Sequence, residues 1–216
     1  MKKQFVVIGC GRFGTSVAMK LNELGSEVMV VDNNEETIQN ISEYVTHAVQ
    51  ADATDENTIR SLGIRNFDVA VVTIGSDIQS SILITLLCKE LGVKHVVAKA
   101  QTELHAKVLY KIGADRVVFP EREMGIRIAK NLVYDNILDY VELDPRYGIA
   151  EIFAPEDWVG KSIKSLDLRA HYKINILGIK QGAELNVEFD PEEEITEGTI
   201  FVVIGSNSDI NKLEKL

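Results

Sequence analysis

The sequence predicts a doubly wound α/β fold with a parallel sheet of six strands, joined to a smaller α+β lobe. Three observations carry that expectation. Short aliphatic runs alternate with segments of helical apolar spacing through residues 1–134, as parallel strands buried on both faces and their crossover helices require. A glycine-rich stretch, Gly9-Cys10-Gly11-Arg12-Phe13-Gly14, stands between the first such run and the first such segment. Over residues 135–216 the texture changes to short alternating strands and turn signals, so the domains are expected at 1–134 and 135–216.

Phe5-Val6-Val7-Ile8 reads as the first strand, and Thr15 to Leu24 as the first helix, with Val17, Ala18, Leu21 and Leu24 on one face. At the turn between them Gly9 permits the tight bend, Gly11 lets a diphosphate approach the backbone, and Gly14 lets helix and strand pack closely. Val28-Met29-Val30-Val31 is the second strand, ended by Asp32, which lies 18 residues beyond Gly14. The acid that binds ribose hydroxyls in a Rossmann-like unit is expected at roughly 20. Asn34 suits a helix cap, Glu35 and Glu36 suit the first turn, and Ile38 and Ile41 would face the sheet. Tyr44 to Val49 is the third strand; Thr54 would cap a helix from Asp55 to Leu62 that Gly63 stops.

Val69-Ala70-Val71-Val72 forms the fourth strand, Gly75-Ser76-Asp77 its loop, and Ile78 to Leu91 the next helix. His95-Val96-Val97-Ala98 is the fifth strand with Lys99 at its end, Glu103 to Ile112 a helix closed by Gly113, and Arg116 to Phe119 the sixth strand. The helix expected over Glu121 to Val133 follows a sheet already complete. It either covers that sheet or packs on a partner. Beyond it, Ile149 to Phe153 alternates as a half-buried strand, and Gly160 to Arg169 reads as a short helix. Ile174 to Lys180, Leu185 to Val187 and Thr199 to Ile204 read as strands, and Asp209 to Leu216 as a terminal helix.

Composition narrows the function. The 216 residues carry a net charge of −10, and residues 135–216 hold 8 Lys/Arg against 17 Asp/Glu. That imbalance argues against nucleic acid and anionic lipid as direct partners. Two cysteines are too few for a disulfide framework, and the first strand follows the N-terminus too closely for a signal peptide, so a cytosolic chain is expected.

The candidate cofactor-binding residues cluster at predicted strand ends, where doubly wound sheets hold ligands. Asp32 would accept from both ribose hydroxyls and repel a 2′-phosphate. Arg12 meets the unfavourable end of a helix dipole, which a bound polyphosphate would reverse; a solvated arginine is the alternative. Lys99 either adds charge to the same phosphates or is simply exposed. Asp52 and Thr54 either meet the adenine edge or distal ribose, or cap locally, and Gly75 would admit ligand near the fourth strand. Phe13, Asn33, Ala53 and Ile74 complete that set. Glu121 either holds a divalent cation such as Mg2+ near phosphate or serves as a first-turn acid. A nicotinamide (NAD)-dependent oxidoreductase would need a general acid beside the ring, and none announces itself. A ligand-binding switch needs only differential affinity between two states, so binding without catalysis is the expected activity.

Together with Asp52-Ala53-Thr54, Gly63 to Asp68, Lys99-Ala100-Gln101 and Gly113 to Arg116, the glycine turn and Val31-Asp32 resemble the bacterial potassium-uptake regulators of the Ktr/Trk type, built from RCK (regulator of potassium conductance) domains. The resemblance spans nearly the whole chain. It implies homodimers assembled into an octameric ring at the cytoplasmic face of a membrane potassium-translocating subunit of the KtrB, KtrD or TrkH type. It implies that ATP and ADP, or sometimes NAD and NADH, bind the N-terminal lobe, with ATP favouring activity and ADP inactivity. By the same resemblance Arg12 reaches terminal phosphates, Asp32 binds ribose, Glu121 serves a cation between dimer mates, and the helix after Glu121 crosses to the partner. Leu168 to Asn175 resembles part of a cyclic di-AMP site. Arg169 would contact phosphate, Asn175 with backbone groups at Ile176 would read adenine, and Ala170, His171, Phe189 and Pro191 would enclose the base; an ordinary helix-to-strand connection is the alternative.

Overall fold

Six aliphatic runs become the six parallel strands of one sheet in a computed structural model that describes residues 2–75, 77–133, 137–182 and 184–213. The elements are β1 (Gln4–Ile8), α1 (Arg12–Glu23), β2 (Glu27–Asp32), α2 (Glu35–Ile41), β3 (His47–Gln50) and α3 (Glu56–Ser61). They continue with β4 (Val69–Val72), α4 (Ile78–Glu90), β5 (His95–Lys99), α5 (Glu103–Lys111) and β6 (Arg116–Val118). The strand order is β3-β2-β1-β4-β5-β6, so the order reverses between β1 and β4. β1 is flanked on both sides, Ile8 standing opposite Val31 of β2 and Val72 of β4.

Aliphatic strands succeed here because both faces are covered. Val6, Ile8, Val31 and Val72 pack with Ile84, Cys88 and Leu109 on one side, while Val7, Val28 and Val30 pack with Ala18, Ile38 and Ile41 on the other. Adjacent residues on a strand point to opposite faces, so two cores are built from single continuous runs. Each of α2 to α5 starts on a capping side chain: Asn34 for α2, Asp55 for α3, Asp77 for α4 and Thr102 for α5. At α3 the cap is Asp55, not the expected Thr54, because Asp55 accepts from the amides of Asn57 and Thr58 while Thr54 bonds back to Asp52.

Contacts group the chain into two units that divide after Pro120. α6 (Pro120–Val133) opens the second, followed by β7 (Ile137–Glu142), β8 (Tyr147–Phe153), α7 (Ile163–Leu166) and α8 (Leu168–Tyr172). Next come β9 (Asn175–Gln181), β10 (Glu184–Asn186), β11 (Ile200–Ser206) and α9 (Asn207–Ile210). The domain boundary expected at 134/135 lies outside the described residues, as do Ser76 and the last three residues of the expected terminal helix. The five strands pair antiparallel in the order β10-β9-β11-β8-β7. Trp158 is fully buried in this unit's core, its ring centroid 5.3 Å from that of Tyr172 and 5.7 Å from that of Phe201. The single helix expected over Gly160 to Arg169 is two, because Asp167 takes a left-handed backbone (φ 40°) and caps α8 by accepting from the Ala170 amide. Among the described residues no helix is long and apolar enough to cross a membrane.

Candidate functional site

The C-terminal ends of β1, β2, β3 and β4 open on a cleft of about 470 Å3 at the point where the strand order reverses. Gly9, Gly11, Asp32, Asn33, Asp52, Ala53, Thr54, Ile74 and Gly75 all line it, brought together from four separate loops. Sequence reasoning missed Thr73, Asp77 and Ser80, which line it too. Thr73 looks like the polar end of an apolar strand, and its only sequence signal is its place beside the reversal point.

The glycine turn shows why each glycine is there. Gly9 takes a left-handed backbone, φ +91°. A Cβ on Gly14 would lie 2.1 Å from the Gly9 carbonyl oxygen and 2.5 Å from Thr73 Oγ1, so helix, turn and β4 meet with no room for a side chain. Gly11 is different. Its backbone is ordinary (φ −67°), and a Cβ there would meet nothing within 4 Å. Neither packing nor strain calls for glycine at Gly11, whereas the close approach of something in the cleft would.

Gly11 is also the N-cap of α1, which has no capping side chain and no acid in its first turn. The first intrahelical acceptor is the Gly11 carbonyl, bonded by Thr15 N–H at 2.9 Å, so the amides of Arg12, Phe13 and Gly14 precede the ladder. Arg12, the first residue of α1, is exposed, and its guanidinium makes no ion pair among the described residues. Phe13 is half-buried, with the Lys99 ammonium 6.0 Å from its ring centroid, and Lys99 Nζ would stand 3.3 Å from a Cβ on Gly75. Gln101 donates its side-chain amide to the Gly75 carbonyl, so Phe13, Lys99, Gln101 and Gly75 gather beside the cleft at the end of β5. Glu121 sits in the first turn of α6, in the second unit. No three His, Cys, Asp or Glu side chains among the described residues gather where they could hold a metal ion.

Asp32 Oδ2 accepts from the Cys10 amide at 2.6 Å and Oδ1 from the Asn34 amide at 2.9 Å. Each oxygen keeps a lone pair for a ligand hydroxyl. Asp77 is the ionised cap of α4, and Asp52 is an ionised acceptor in the turn before α3. The Thr54 hydroxyl and amide hold Asp52 below the usual carboxylate range, and the Ser80 hydroxyl and amide do the same for Asp77. Cys10 lines the cleft, and burial pushes its thiol pKa up, with the Thr15 hydroxyl 3.2 Å away partly opposing, so it is a neutral filler and not a nucleophile.

In the second unit Arg169, Ala170 and His171 are exposed on α8, and Asn175 and Ile176 begin β9 just beyond. Lys173 joins the two through a left-handed backbone, φ 58°. These residues share one surface turn. Phe189 lines a cavity of about 410 Å3 together with Ile163, Ile179, Ile195, Glu184, Asp190, Glu193 and Glu194. Pro191 is exposed, its carbonyl accepting from the Lys164 amide. The acidic lining of that cavity would repel a phosphodiester, whereas the α8–β9 turn presents Arg169 without an ion pair among the described residues.

Comparison with known proteins adds the following. The TrkA-N domain family matches residues 5–120 and the TrkA-C domain family residues 149–216. The chain is 48% identical over 215 residues to the Ktr system potassium uptake protein C of Bacillus subtilis (strain 168), covering 100% of this chain and 97% of that protein. It is 46% identical over 212 residues to the Ktr system potassium uptake protein A of the same organism, covering 98% and 96%. It also resembles the GsuK channel bound to NAD, with a TM-score of 0.67 at 19% identity, covering 100% of this chain and 39% of that one; this likeness speaks to the fold alone.

Proposed function

This chain, with its TrkA-N and TrkA-C domains, belongs to the Ktr-type family of potassium-uptake regulatory proteins, and on that premise we propose that it gates potassium uptake by binding an adenine nucleotide in the cleft of its first unit. Its family consists of regulatory subunits of potassium uptake systems and not of enzymes, which sets the oxidoreductase alternative aside. ATP and ADP compete for the cleft, ATP favouring the active arrangement and ADP the inactive one.

The observation that carries this reading is the start of α1. Gly11 lines one end of the cleft with an open backbone, and three amides without an intrahelical acceptor, an uncapped helix dipole and an exposed Arg12 follow directly after it in the chain. Asp32, Asp52 and Asp77 make the rest of the lining negative, so a polyphosphate has one favourable place. Hydrogen bonds to a charged group contribute roughly 1.5–3 kcal/mol each, enough for several amides to outweigh the nearby carboxylates. Asp32 then takes the ribose, and Asp52 to Thr54 lie where the adenine side would be.

The remaining parts of the reading follow from the family. A divalent cation such as Mg2+ joins through Glu121. α6 exposes Met124, Ile128 and Leu132, spaced four apart on one face suited to a second copy, and dimers so formed assemble into an octameric ring. The ring acts at the cytoplasmic face on a membrane potassium-translocating subunit of the KtrB, KtrD or TrkH type. Cyclic di-AMP binds the α8–β9 turn through Arg169 and Asn175.

Calorimetric titration of the purified full chain with ATP, ADP and NADH tests the nucleotide site, and native mass spectrometry tests the ring. Binding of ATP and ADP is expected. A chain that takes up no adenine nucleotide overturns the reading.

A further inference from the structure

One peptide unit in the glycine turn is held at both ends. Its carbonyl, Gly9 O, accepts from the Thr73 hydroxyl, and its amide, Cys10 N–H, donates to Asp32 Oδ2 at 2.6 Å. Thr73 is 6% exposed at the end of β4, and its hydroxyl also lies 3.2 Å from Ile8 O. Its own amide donates to Ile8 O at 2.9 Å, which fixes the residue against β1. Thr73 and Gly14 close around the carbonyl. Gly9 is left-handed, a Cβ on it would stand 3.3 Å from Thr73 Oγ1, and a Cβ on Gly14 would collide with both Gly9 O and Thr73 Oγ1.

We propose that Thr73 is a positioning residue for the phosphate end of the cleft, one that keeps the Gly9 carbonyl turned into the sheet so that the turn offers amides to an anion. This rests on the nucleotide reading above. A glycine peptide rotates easily, since Gly9 carries no Cβ to resist it. Without the hydroxyl, the carbonyl loses its buried donor and can turn towards the cleft, placing a negative dipole end where a phosphate would lie. Asp32 restrains the same peptide from the amide side, but a carboxylate cannot donate to a carbonyl. The two side chains therefore do different work: Asp32 also meets the ligand, while the Thr73 hydroxyl is turned to the Gly9 carbonyl and acts through it.

Valine has nearly the shape of threonine and no hydroxyl, so Thr73→Val isolates the bond, and Thr73→Ser restores it. The full-length proteins are titrated with ADP and, by competition, with adenosine, which lacks the phosphates. Thr73→Val is expected to weaken ADP about tenfold while adenosine stays within twofold of wild type, and Thr73→Ser to return ADP to within threefold. A general loosening of the fold would weaken both ligands alike, and that result overturns the proposal, as does unchanged ADP affinity or failure of serine to rescue. Should the valine protein not fold, Thr73→Ala against Thr73→Ser gives the same comparison. Wild-type protein that binds neither ligand condemns the nucleotide reading itself, whereas wild-type binding with indifferent variants condemns only the role of Thr73.

Discussion

The Asp32 carboxylate lies 2.6 Å from the amide nitrogen of Cys10, so the acid that ends β2 is tied to the turn that ends β1. A ligand that engages Asp32 therefore also feels the turn. Asp32→Ala removes both the ribose acceptor and the tie. It is expected to weaken ADP at least tenfold, in line with loss of hydrogen bonds to a charged group of roughly 1.5–3 kcal/mol each. The preference for ADP over its 2′-phosphorylated analogue should narrow at the same time, because the repelling charge is gone. Calorimetry with both compounds reads the two effects, and an unchanged preference would remove Asp32 from the ribose.

Gly14 and Gly11 are three residues apart and are expected to behave oppositely. In Gly14→Ala the new methyl would lie 2.1 Å from the Gly9 carbonyl oxygen, so backbone must move. Overpacking of this kind costs about 1–3 kcal/mol or more, against about 1 kcal/mol gained in helix propensity. With backbone and not a flexible side chain in the way, the cost falls at the upper end, and a net loss of up to about 2 kcal/mol in urea unfolding is expected. Gly11→Ala meets open space at an ordinary φ, and its unfolded-state gain of about 0.4–1 kcal/mol is offset by the poorer N-cap that alanine makes, so its stability should stay within about 1 kcal/mol of wild type. Its nucleotide affinity should nevertheless drop more than tenfold, the methyl standing where the phosphates approach. Normal ADP binding by Gly11→Ala would contradict the placement of the ligand.

Arg12 begins a helix whose dipole disfavours it, and it is exposed with no ion pair among the described residues. An arginine so placed has most to gain from the phosphate farthest from the ribose. Arg12→Ala is expected to weaken ATP about tenfold and ADP no more than threefold, measured by parallel titrations. Equal losses would mean that the guanidinium does not reach a terminal phosphate. Arg12→Lys should recover only part of the ATP affinity, since an ammonium cannot make the bidentate contact.

Much of the first unit was legible because parallel strands buried on both faces must be apolar at every position; Val28 to Val31 and Val69 to Val72 can be little else. The cleft was legible in outline because Gly9, Gly11 and Asp32 are residue types that only a strand-to-helix turn and a strand end explain together. Thr73 was not legible, because a hydroxyl bonded to a carbonyl across the sheet leaves no local pattern. The break at Asp167 was hidden for a related reason. Helical spacing over Ile163, Leu166 and Leu168 survives the left-handed residue between them, since both short helices turn apolar groups to the same core. β7 leaves no clear period in the sequence because its burial alternates irregularly, with Asp139 carrying a side-chain partner outside its own strand.

That partner sets the acid behaviour of the second unit. Asp139 accepts from Arg127 Nε at 3.0 Å and again from Arg127 Nη2, from Asn131 Nδ2 at 3.3 Å, and from the Tyr140 amide at 2.8 Å. Arg127 is the largest influence, and together these donors hold the carboxyl below its ordinary value of 3.8 despite partial burial. A carboxyl whose folded pKa lies below its unfolded one contributes stability above the unfolded value and loses it as the pH falls through the folded one. The tie between α6 and β7 is therefore intact at neutral pH and released only below about pH 4. The chain has one tryptophan, Trp158, in the core of this unit, so its fluorescence follows this unit's unfolding. In urea titrations at pH 7 and pH 3 the wild type should lose more stability than Asp139→Asn, which is already weakened at pH 7 and has no proton to take up. Asp209, held low chiefly by Lys212, remains in both proteins and cancels from the comparison. Equal acid losses in the two proteins would show that the Arg127–Asp139 pair does not bear on the fold.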